Sequence, residues 1–102
     1  MTDISSSGAT VSPPDTLGYD HVTIGVAAVV IKAGNNDRTS ITLKSPIANV
    51  GNIYIGFDNT VTIEDGHLLE PGDAISFNDY VGSFWGISTD AVQTLTYIEV
   101  AR

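Results

Sequence analysis

His21 and His67 are the two imidazoles of this 102-residue chain, and no cysteine accompanies them. Neither histidine has another ligand-type residue at the short spacing of a preformed zinc site, so both read as surface or turn residues. Asp58, Asn59, Glu64 and Asp65 flank a short apolar segment and could supply oxygens to a calcium ion from two loops. They match no EF-hand or repeat spacing and are better explained as solvated turn acids. No Gly-x-Ser-x-Gly elbow occurs, and no Ser/His/Asp set stands out. Glu64, Asp65, Glu70, Asp73 and Asp79 offer many carboxylate pairs for glycoside hydrolysis, yet nothing singles out two of them. The residues therefore point to a protein that is not an enzyme and holds no cofactor or metal.

Aromatic side chains are the remaining candidates for contact. Tyr54, Tyr80, Phe84 and Trp85 could stack on a sugar or form a subunit interface. Phe84 and Trp85 are adjacent, so a regular strand turns one ring inward and the other outward. An outward ring on a small domain marks a contact surface.

These side chains must be positioned by strands. Ile53, Ile55 and Phe57 alternate with Tyr54 and Gly56, while Ile75 and Phe77 alternate with Ala74 and Ser76. Between the two runs, Glu70-Pro71-Gly72-Asp73 predicts a tight turn. Pro71 presets the first central φ and Gly72 supplies the positive φ of a type II turn, which should pin the register of the two strands. Upstream, Val22, Ile24 and Val26 alternate, Gly25 suggests a bend, and Val29-Val30-Ile31 reads as a strand buried on both faces. Ala33 to Asp37 then turns into Arg38–Lys44, with Arg38, Ser40, Thr42 and Lys44 outward against Thr39, Ile41 and Leu43, a hairpin with one wet face. Val61 and Ile63 suggest a short strand, Phe84 to Ile87 another, and Thr94 to Val100 the last. Seven or eight strands with turns between them and no helical period predict one all-β sandwich, jelly-roll-like, over residues 19–102.

Residues 1–18 differ. Ser, Thr, Pro and Gly dominate, and Ile4, Val11 and Leu17 are isolated apolar positions, too few to bury a core of their own. The segment reads as a flexible N-terminal arm whose sticky points toward a partner are Val11, Pro13, Pro14 and Leu17.

Composition excludes some partners. Four Lys+Arg against twelve Asp+Glu give a net charge of −8, the wrong sign for binding a nucleic-acid backbone. The apolar run from Ile24 to Ile31 is far shorter than the ~18 residues that span a bilayer, so no membrane partner is expected. The N-terminus lacks the basic patch and apolar core of a secretory signal, which predicts synthesis in the cytoplasm of the producing cell.

The segments S-I-T-L-K, N-I-Y-I-G-F-D, D-G-H-L-L-E-P-G-D-A-I-S-F and T-L-T-Y-I-E-V together resemble small virion proteins of tailed bacteriophages over about residues 38–100. The resemblance implies a capsid decoration or cement protein on the exterior of the phage head, binding between capsomers as a homotrimer with the major capsid protein as partner. It also leaves an alternative, a carbohydrate- or receptor-binding module of a phage fibre or tail.

Overall fold

The computed structural model describes residues 4–6, 9–11, 15–90 and 92–102, the first two stretches by their backbone alone. Ten strands are present and no helix is found among these residues: β1 Ile4–Ser6, β2 Ala9–Val11, β3 Thr16–Ile24, β4 Val29–Lys32, β5 Arg38–Lys44, β6 Ile53–Gly56, β7 His67–Leu69, β8 Ala74–Asn78, β9 Phe84–Ser88 and β10 Gln93–Ala101. Strands β1 and β2 form a two-stranded antiparallel sheet, Ile4 opposite Val11. The other eight form two antiparallel four-stranded sheets, ordered β3-β10-β5-β8 and β4-β9-β6-β7.

The pairing is nested. β3 lies on β10, β4 on β9, β5 on β8 and β6 on β7. From β3 onward the chain is thus one long hairpin, its tip between β6 and β7, rolled so that, apart from that tip pair, consecutive strands fall in different sheets. This is the jelly roll, and it confirms the all-β sandwich read from the alternation.

Alternation explains the core. Ile41 and Leu43 from β5 and Leu95 from β10 meet Ile53, Ile55, Leu69 and Phe84 from the second sheet, with Ile24 and Ile31 beside them, all buried. Each such residue contributes on the order of 1.5–3 kcal/mol through removal from water.

Several local expectations need correction. Ala33 to Asp37 does not close a hairpin, because β4 and β5 belong to opposite sheets. The turn at Pro71-Gly72 forms as read: Gly72 has φ +94° and the Asp73 N–H donates to the Glu70 carbonyl at 2.8 Å. It joins β7 to β8 across the two sheets, so it is a corner and does not set the register of β6 against β8. Strands that both point apolar side chains at one core can be consecutive without being paired. Val61 and Ile63 form no strand. The Thr62 N–H and hydroxyl both bond Asp65 Oδ1, at 2.7 and 2.9 Å, and the Gly66 N–H closes back on the Thr62 carbonyl at 2.9 Å. These bonds wind the segment into a turn. Val61 folds back over Gly56, where any Cβ would stand 2.5 Å from Val61.

Candidate functional site

The polar side chains divide into structural staples and surface residues. At one end of the sandwich Arg38 is fully buried, although alternation along β5 places it outward. A register shift in β10 at Val100/Ala101 marks the point where the β5–β10 pairing loses its regularity. Arg38 Nε–H donates to Glu99 Oε2 at 2.7 Å, Nη1 to the carbonyls of Gly82 (2.6 Å) and Tyr80 (3.3 Å), and Nη2 to the carbonyl of Ala33 (2.8 Å). The guanidinium also lies 5.4 Å from the Phe84 ring centroid. Lys32 approaches Glu99 to 3.8 Å and covers the Tyr97 ring. One cation so ties together the β4–β5 loop, the β8–β9 loop and the last strand. Ser40, expected outward, is buried beside it.

At the other end the β5–β6 loop is bound to the start of β10. Asn49 donates to the Thr94 carbonyl at 2.7 Å and accepts from its N–H at 2.9 Å, while the buried Gln93 accepts from the N–H groups of Val50 and Gly51.

The histidines and acids make no reactive cluster. Among the described residues no three of His, Cys, Asp and Glu converge as a metal site would require. His21 on β3 and His67 on β7 are exposed on different sheets. Asp58 accepts from the Thr60 side chain and N–H, and Asp65 from the Thr62 N–H and side chain, which holds both carboxyls below their ordinary value of 3.8. Asp73 accepts from the Glu70 N–H at 3.0 Å. These acids fasten turns.

The aromatic candidates separate. Phe84 is buried, and Tyr80 packs against it with ring centroids 5.1 Å apart, its hydroxyl donating to the Ser83 carbonyl. With Phe57 and Phe77 they form an aromatic cluster that runs from the buried Phe84 through the half-buried Phe77 and Tyr80 out to the exposed Phe57. Trp85 and Tyr54 face outward on adjacent strands: Tyr54 is opposite Ile87, and Trp85 opposite Gly56. The alternation separating Phe84 from Trp85 was visible in the sequence, whereas the half-burial of Tyr80 against Phe84 depends on its loop.

Of the arm residues, Val11 lies in β2 and Pro13 and Pro14 are outside the described residues. Leu17 is part of β3, opposite Val100 and half exposed, so the sandwich begins at Thr16, ahead of the Tyr19 boundary expected from composition. β3 pairs with β10 through nine register positions and stands at the edge of its sheet, with its first six residues exposed. Tyr19, His21, Thr42, Lys44, Thr96 and Ile98 line a trough of about 420 Å³ on the outside of this sheet.

Fold and surfaces together define a jelly-roll domain, without helix among the described residues, whose outward features are sheet edges and sheet faces. No family model and no curated protein sequence matches the chain. Among solved structures it is similar in fold to a chain of Bacillus endospore appendages, described as a novel family of disulfide-linked pili, with a TM-score of 0.52 and 21% identity over 98% of both chains.

Proposed function

We propose that this chain is a non-enzymatic structural subunit that joins copies of itself, or a larger protein shell, through its N-terminal segment and the edge strand that continues from it. The observation that carries the reading is β3, a nine-residue edge strand, exposed along most of its length and entered directly from residues 1–15. Long exposed edges are templates for pairing with another chain, and natural monomers blunt them. An extended partner segment could add to such an edge by main-chain hydrogen bonds. The likeness in fold to a pilus protein is compatible with this role. This chain has no cysteine, so these residues cannot form a disulfide between copies.

Two finer forms follow. In one, copies polymerise into a filament. In the other, the form implied by the phage resemblance, a homotrimer sits on the exterior of a phage head, bound to the major capsid protein, and its three arms act with avidity. Sedimentation of the full chain and of a chain lacking residues 1–14, which leaves β3 intact, separates them. Polymers of the full chain alone support the filament. A trimer that co-sediments with expanded phage heads supports decoration. A full chain that stays monomeric and binds no heads, or a truncated chain that assembles as well as the full one, defeats the proposal.

A further inference from the structure

In a solvated sandwich, residues on the outside of each sheet should be polar. The β3-β10-β5-β8 sheet follows this rule in part of its outer face: His21, Thr96 and Lys44 lie opposite one another in one row, while the next sets the exposed Tyr19 and Ile98 beside the hydroxyls of Thr42 and Ser76. The β4-β9-β6-β7 sheet does not. Val30, Trp85 and Gly56 form one row across it, and Ile87, Tyr54 and Leu68 the next. Five large apolar or aromatic side chains thus stand side by side with no charge among them, and Val30 and Leu68 at the two edge strands keep 42% and 41% of their surface exposed. The run Val29-Val30-Ile31 reads in sequence as buried on both faces; here Ile31 enters the core and Val30 has nothing described above it.

From this we infer that the outer face of the β4-β9-β6-β7 sheet is a self-association surface, covered by the same face of a second copy. Charge selects the occupant. The chain carries a net −8, so two copies repel over most of their surface and can approach best where charge is absent. A basic partner would gain nothing on an uncharged patch and would choose the acidic loops. Interface cores are depleted in charge and enriched in Trp and Tyr, and a two-fold axis through this face sets the same five side chains against themselves. Area sets the strength. Four strands at ~4.8 Å spacing and four to five residues at ~3.3 Å each give a face of roughly 300 Å² in plan. A stable interface buries about 800 Å² on each partner, so this contact is weak alone and gains force when other contacts already hold the copies together. The inference uses a different surface from β3 and stands or falls separately from the assembly role proposed above.

Trp85 is the single tryptophan, so its fluorescence reports this face directly. The full chain is examined by sedimentation and by Trp85 emission and acrylamide quenching from micromolar concentration to about 1 mM. The expected result is a monomer–dimer equilibrium in which Trp85 emission moves to shorter wavelength and becomes shielded. Added salt strengthens it by screening the like charges. Leu68→Lys and Val30→Glu, at opposite edges of the face, each weaken association at least tenfold while circular dichroism stays native; Tyr19→Lys on the other sheet leaves it unchanged. A chain still monomeric at 1 mM with Trp85 freely quenched overturns the inference, as does unimpaired association of the two face variants. Shielding of Trp85 in a monomer by a soluble polysaccharide also overturns it and assigns the face to carbohydrate. Polymers of the full chain that leave Trp85 freely quenched and are unimpaired in Leu68→Lys would leave the assembly role standing and sink this face; a full chain that forms nothing beyond a dimer, lost in Leu68→Lys but kept without residues 1–14, would do the reverse.

Discussion

Glu99→Gln is the substitution that most directly tests the buried staple. It keeps the shape of the side chain and an acceptor for Arg38 Nε–H, and removes only the negative charge. The Arg38 side chain is 0% exposed and that of Glu99 8%, so water cannot replace the lost carboxylate. Three backbone carbonyls, of Ala33, Tyr80 and Gly82, remain around the guanidinium, but they are neutral dipoles. Breaking one half of a buried pair costs about 3–5 kcal/mol; with the hydrogen bond retained, the lower figure of about 3 kcal/mol applies. At 4–8 °C per kcal/mol for a domain near this size, the melting temperature should fall by roughly 12 °C or more. Thermal and urea unfolding followed by circular dichroism provide the assay. Replacing both partners, Arg38→Met with Glu99→Leu, should cost less than the sum of the two single changes, since no fully buried charge is then left stranded and Lys32 keeps access to water. A Glu99→Gln chain within 1 kcal/mol of the native one would refute the claim that this pair holds the end of the sandwich together. Strictly additive single changes would refute it as well.

Gly72→Ala should lower stability by about 1–2 kcal/mol, because φ +94° is strained for a residue with a Cβ although space for one exists beside Ile47; the urea midpoint measures it. Asp58 and Asp65 titrate lower in the folded chain than their ordinary 3.8, so their contribution is complete above that pH and is lost as pH falls through the lower folded values. Amide exchange of residues 58–66 should therefore hold steady from pH 7 to 5, after correction for the intrinsic pH dependence, and show local loosening below about pH 4, an effect absent from Asp58→Asn with Asp65→Asn.

Much of the sandwich was legible because strand alternation is local. Ile53/Ile55 and Phe84/Trp85 each announce their faces within a few residues. Sheet membership was not legible. Pro71-Gly72 forms the same turn whether it closes a hairpin or rounds a corner, and only the nested pairing of β5 with β8 and β6 with β7 decides. Arg38 was misplaced for a related reason: its partner Glu99 is 61 positions away, and no periodicity connects them. The outer apolar face was visible only in fragments. Val30, Tyr54, Leu68 and Trp85 come from four separate strands, and they become a surface once those strands are ordered.

Thr16 at the start of β3 lies directly opposite Ala101 at the end of β10. A force drawing the two ends of the domain apart would therefore open this ladder like a zip, one pair at a time, and meet little resistance. A force applied along β3 against the rest of the sandwich would load all nine register positions together, in shear. If these subunits carry tension, the fold bears it well only when the pull enters along the edge strand and leaves through the body of the sheet, and badly when subunits are strung end to end through their termini.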